Sequence, residues 1–216
     1  MTRTVYVFAL TSHAMPPFAV KRRHVEFVDL AGFHAAVERR HEPPALSESS
    51  LRTQHDIVTR LSDRIDAVVP ARFGALIEER ELRDILGARR QLVEEALALV
   101  RGRVQMTVRF RKAPESMRHG NPAASAATSG TAYLEARRNA ASAMPALAGV
   151  VATAVADLTI AERSEAGTER APAVLYHLIA RGNVARYNDA VSLLKSAAVS
   201  VSGPWPPFAF APDLWP

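Results

Sequence analysis

At 216 residues, 48% of them hydrophobic, the chain is long enough for two small cores of roughly 100 residues each. It contains no cysteine, which excludes disulfides, thiolate metal sites, thiol redox chemistry and a cysteine nucleophile, and is compatible with a reducing compartment. The formal charge of +5 is a small, dispersed excess of 27 basic over 22 acidic residues, nearly all the basic ones arginine, so no specific nucleic-acid binding is expected.

The first half, 1–102, reads as an α+β domain. Val5-Tyr6-Val7-Phe8-Ala9-Leu10 is too short for a signal-peptide core and predicts a strand over Thr4 to Leu10, hence a protein that stays in the cell. Further strands are expected at His24 to Asp29 and around Phe33 to Val37, with the basic loop Lys21-Arg22-Arg23 before them. Pro43-Pro44 breaks the chain. A helix follows from about Ser49, capped by Ser49 or Ser50, with Leu51, Val58, Leu61 and Ile65 on one face. After Val69-Pro70-Ala71-Arg72-Phe73-Gly74, the acidic run Glu78-Glu79-Arg80-Glu81 suits the positive end of a helix dipole. Leu82, Ile85, Leu86, Leu92, Val93, Ala96, Leu97 and Val100 then mark one bent helix or two, with Gly87 as the break and Gly102 as the C-terminal cap.

The second half, 103–216, opens on a strand in which Val104, Met106, Val108 and Phe110 alternate with Gln105, Thr107, Arg109 and Arg111, predicting one core face and one wet, positive face. A polar loop from Pro114 to Ser129 precedes a helix from about Thr131, whose seam includes Leu134, Ala141, Met144, Ala148, Val151 and Val155. Ala143 to Ala161 is nearly free of charge, but Pro145, Gly149 and Asp157 argue for a buried helix over a membrane span. Strands at Asp157 to Glu162 and Ala173 to Ala180, a helix from Asn183 to about Ala197 carrying Val184, Tyr187, Val191 and Leu194 inward, and a strand at Val199 to Ser202 complete the order β-α-β-β-α-β. That order is ferredoxin-like: an antiparallel sheet with its helices on one face. The extended tail Gly203-Pro204-Trp205-Pro206-Pro207-Phe208-Ala209-Phe210 follows, stiffened by three prolines and too apolar to stay unpacked or unbound.

No phosphate-binding loop, dinucleotide fingerprint, nucleophile elbow or zinc-binding H-E-x-x-H occurs, so no catalytic residue, cofactor or metal ligand is assigned. The seven histidines are scattered, without the helical spacing of a metal pair. His55 and His177 fit hydrogen-bonded core positions, with a proton donor or partner contact as the sharper reading for His55. Arg72 can clamp its own turn or grip a partner's carboxylate. Trp205 can pack between the two domains or under the final strand, or stand exposed as a binding hot spot.

Three motifs, in this order, carry a resemblance over nearly the whole chain: Val69-Pro70-Ala71-Arg72-Phe73-Gly74, then Gly130 with Tyr133-Leu134, then Gly203-Pro204-Trp205-Pro206-Pro207-Phe208-Ala209-Phe210. Together they resemble the gas vesicle protein F/L family, with Phe208 where that family usually has tyrosine. The resemblance implies an accessory protein of gas vesicle formation, which binds the hydrophobic shell protein and other accessory proteins without catalysis. It also implies a location in the cytoplasm or on the gas vesicle, as a minor component. The residues expected to meet partners are Arg72, Phe73, Trp205, Phe208 and Arg109. Two rivals come from other classes: a small-molecule sensor, since ferredoxin-like sheets often hold ligands, and an enzyme acting on an anion through Arg72, Arg109 and His55.

Overall fold

A computed structural model describes residues 3–30, 32–111, 146–168 and 171–214. The expected loop from Pro114 to Ser129, the start of the helix at Thr131, Gly130, Tyr133, Leu134 and Trp215 lie outside these residues. The fold is mixed α+β with two antiparallel sheets, and its contacts divide the chain into two compact units, Met1–Gln105 with Trp205–Pro216, and Met106–Pro204.

The first unit is a sheet of six strands: β1 (Thr4–Thr11), β2 (Phe18–Val20), β3 (Arg23–Asp29), β4 (His34–Arg39), β5 (Val68–Pro70) and β6 (Leu76–Glu78). Their order is β2-β3-β4-β1-β5, with β6 also paired to β1. β1 is central and buried on both faces, which explains its unbroken apolar run. Tyr6 and Phe8 face the core shared with α1 (Glu48–Ser62). Val5 and Val7 face the core of α2 (Glu79–Ala88) and α3 (Arg90–Val100). A register shift between Val7 and Ala9 reverses this alternation. Beyond it, Ala9 joins the α1 core and Leu10 the other, as one extra residue in a strand requires.

Several sequence expectations change here. The cap of α1 is Ser47, not Ser49 or Ser50: its Oγ accepts the Ser50 N–H at 3.2 Å and its backbone is extended. Ser47→Ala is expected to lower stability by about 1 kcal/mol, read as a shift of the urea midpoint with unchanged slope. Leu51 is exposed, and the buried face of α1 is Gln54, Ile57, Val58 and Leu61. The break between α2 and α3 falls at Arg89, because Gly87 remains helical. Gly102 has φ of 65° just before the next strand, a left-handed turn that glycine adopts without strain. β2, β5 and β6 were not anticipated, being three residues each and too short for a periodic signal.

The second unit holds most of β7 (Arg103–Phe110), with α4 (Ala146–Ala154), β8 (Thr159–Glu165), β9 (Ala173–Ala180), α5 (Val184–Ser192) and β10 (Val199–Trp205). The strand order is β10-β7-β9-β8. β7 is therefore an inner strand, and its expected wet face is largely covered: Gln105 and Thr107 are buried and Arg109 is exposed. α5 ends at Ser192 rather than near Ala197, since Lys195 has φ of 45°, which no α-helix accommodates. No described helix is long and apolar enough to cross a membrane.

Candidate partner-binding site

The segment from β5 to β6 runs along one side of β1 as an interrupted strand. Ala71 N–H donates to the Phe8 carbonyl at 2.9 Å and Val7 N–H to the Ala75 carbonyl at 2.8 Å, so the residues between loop out from the ladder. Gly74, at φ of 92°, makes the turn that a side chain would strain. Two buried side chains tie the loop down. The Tyr6 hydroxyl donates to Gln54 Oε1 and accepts the Gly74 N–H at 3.2 Å. Gln54 Nε2 in turn donates to the Ala71 carbonyl at 3.0 Å. Burial raises the Tyr6 pKa against the opposing pull of the Gly74 N–H, keeping the hydroxyl a donor. Phe73 lies edge-on to the Tyr6 ring at 6.4 Å, and Arg72 is exposed.

This tie was not read from the sequence. Its signal was present: Gln54 stands at i, i+3, i+4, i+7 with Ile57, Val58 and Leu61, a polar residue on an otherwise apolar stripe. Gln54→Leu is expected to cost about 1–3 kcal/mol, because the Tyr6 hydroxyl and the Ala71 carbonyl each lose a buried partner. Equilibrium urea unfolding checks it.

His55, the next residue of α1, meets the C-terminal segment. Trp205 lies edge-on to the imidazole at 5.3 Å, and Phe208 stacks on it at 6.1 Å with 22° between planes. His55 is half-buried, its Nε2 3.4 Å from Thr59 Oγ1. The segment is fixed from below. Pro206 and Pro207 are buried, Phe210 is 3% exposed and Leu214 1%, and Leu214 belongs to the α2–α3 core. Ala209 N–H donates to Gln105 Oε1 at 2.8 Å, and Arg89 Nη1 to the Asp213 carbonyl at 3.2 Å. Trp205 is thus not a core plug: it is 36% exposed, Phe208 37%, and the plugs are Phe210 and Leu214. Leu51, one turn before His55, extends the apolar surface.

Four of the five predicted residues, Arg72, Phe73, Trp205 and Phe208, belong to the first unit: Trp205 and Phe208 meet His55 of α1, Phe73 meets Tyr6 of β1, and Arg72 follows Ala71, whose carbonyl Gln54 of α1 holds. Arg109 belongs to the second unit, where its Nη1 donates to Ser202 Oγ at 3.0 Å. His177 is fully buried and hydrogen-bonded on both nitrogens. Among the described residues no group of histidines and carboxylates could hold a metal ion. A cleft beside Tyr6, Arg23, Glu38, Arg40 and Gln54 has a volume of about 20 Å³, room for little more than a water molecule and far below the roughly 300–1,000 Å³ of ligand sites. The arrangement offers a fixed, half-exposed aromatic surface beside a braced loop, which suits contact with another protein.

A mixed α+β fold of two antiparallel sheets, with a proline-fixed aromatic segment returned to its first unit, defines the class. The sequence matches the Gas vesicle synthesis protein GvpL/GvpF family over residues 4–212, and the chain belongs to that family. Among solved structures it is similar to the gas vesicle protein GvpF from Anabaena sp. PCC7120, with a TM-score of 0.74 at 13% identity, over 98% of this chain and 97% of that one. It is also similar to GvpF from Microcystis aeruginosa, with a TM-score of 0.71 at 12% identity, over 97% and 99%. A comparison with curated proteins finds no match.

Proposed function

We propose that this protein is an accessory factor of gas vesicle formation, which binds the hydrophobic shell protein and other accessory proteins without catalysing a reaction. Its place is the cytoplasm and the growing vesicle. The observation that carries this reading is the surface of Leu51, Trp205 and Phe208 around the half-buried imidazole of His55: large apolar groups kept at the surface while Pro206, Pro207 and Phe210 of the same segment are buried. Family membership supports the gas vesicle context. A shell subunit exposes apolar area before it polymerises, and rigid aromatics bind such area at low entropic cost. Arg72 and Phe73 stand on the braced loop nearby as further contacts, and Arg109 is an exposed cation for a second one.

The second unit is read here as ferredoxin-like, supported by its strand order β10-β7-β9-β8 around two described helices. The chain is read as two domains dividing near residue 102, with the C-terminal segment added to the first. Co-expression with the shell protein tests the function: the two should co-purify, and failure of the intact protein to capture the shell protein or any accessory partner would contradict it.

A further inference from the structure

In the second unit, three side chains form a hydrogen-bonded row from the surface into the core. Glu162 of β8 is partly exposed, and its Oε2 lies 2.9 Å from His177 Nε2. His177 of β9 is wholly buried, and its Nδ1 lies 2.6 Å from the hydroxyl of Tyr187 on α5, itself wholly buried. One proton arrangement satisfies all three. A carboxylate can only accept, so Nε2 carries the imidazole hydrogen and donates to Glu162, and the bare Nδ1 accepts from the Tyr187 hydroxyl. α5 is thereby joined to the inner strand β9 by a bond that Tyr187 can donate only while His177 is neutral.

We propose that Glu162, His177 and Tyr187 form an acid-sensitive latch, through which protonation of the imidazole loosens α5 from the sheet of the second unit. A proton taken from solvent adds to the Nδ1 lone pair that Tyr187 now donates into. Nδ1–H and O–H then point at each other across 2.6 Å. The hydroxyl must turn its hydrogen toward a buried surrounding, at the cost of an unsatisfied donor.

Among the described residues, no group other than Glu162 relieves the added charge. The alternate β7 residues Val104, Met106, Val108 and Phe110 are apolar and buried, and α4 contains no ionisable residue. On α5, Arg186 is exposed and paired with Asp157 at 3.4 Å, and Asp189 is exposed. In the β8–β9 register Arg163 and Glu165 stand opposite Tyr176 and Val174, on the face away from His177. Glu162 is therefore the one described charge acting on the imidazole, and it favours the cation. Burial opposes it more strongly and lowers the His177 pKa, so the folded unit binds this proton less readily than the unfolded chain does. Stability is then unaffected above the ordinary histidine pKa of about 6.5 and falls as pH drops below it.

Nuclear magnetic resonance of the full-length, nitrogen-labelled chain between pH 7.5 and 5 tests the latch. At pH 7.5 the His177 ring should show a protonated Nε2 and a bare Nδ1. Below about pH 6.5 the opening equilibrium of residues 184–192, measured by amide exchange corrected for its intrinsic pH dependence, should rise by up to tenfold per pH unit. His177→Gln should remove that dependence. Glu162→Gln, which takes away only the charge favouring the cation, should leave the onset in place and move the protonation midpoint of the closed-state His177 ring to lower pH. Protonation of His177 at an ordinary midpoint with no opening of α5 would overturn the proposal, as would an equal response in His177→Gln. If that variant does not fold, an unshifted ring protonation midpoint in Glu162→Gln overturns it.

Discussion

Phe210→Ala is expected to lower the unfolding free energy by about 3–5 kcal/mol, the range for removing a buried aromatic ring from a core that cannot fully collapse. Phe210 is 3% exposed and sits between two further anchors: the Ala209 N–H bonded to Gln105, and Leu214 in the α2–α3 core. The loss should fall on the first unit although the residue follows the second in sequence, because Trp205–Pro216 cluster with Met1–Gln105. Trp205 and Trp215 are the only tryptophans, so the variant's fluorescence transition should move to much lower urea than that of the parent. A shift under 1 kcal/mol would mean that the segment is not anchored through Phe210.

The double variant Trp205→Ala, Phe208→Ala separates binding from folding. Both rings are more than a third exposed, and what they lose within the chain includes their packing on His55, worth about 0.5–1.5 kcal/mol per aromatic pair. An aromatic hot spot in an interface contributes at least about 2 kcal/mol, so each truncation should weaken partner capture roughly thirtyfold or more. Capture of the shell protein should therefore fail in a protein that melts several degrees below the parent but is still fully folded at the temperature of the binding assay. Titration of immobilised shell protein with parent and variant, alongside thermal unfolding, distinguishes this from simple destabilisation.

Local periodicity made much of the fold legible. β9 runs from Ala173 to Ala180 as expected, and the apolar run of β1 marks a strand covered on both sides. What stayed hidden depended on residues far apart in sequence. Tyr6 meets Gln54 and Gly74 at separations of 48 and 68 residues, and Ala209 meets Gln105 at 104, distances at which no local pattern carries a signal. The same reason explains β5 and β6, which exist only because β1 pairs with them. The Val69 to Gly74 motif stood out in the sequence, with Arg72 as clamp or partner contact, but the partners of Tyr6 and Gln54 in the bonds that also hold the loop had no local signal. In the C-terminal segment, composition required burial without saying which ring is buried: Phe210 is, and Trp205 and Phe208 are left at the surface.

The most direct measurement is pressure-collapsible turbidity of host cells with the gene deleted, then restored as the parent or as the Trp205→Ala, Phe208→Ala variant. Loss on deletion, recovery with the parent and no recovery with an equally abundant, folded variant is the predicted result. Full turbidity in the deletion strain, or full recovery with the variant, would contradict a role in vesicle formation exerted through this surface.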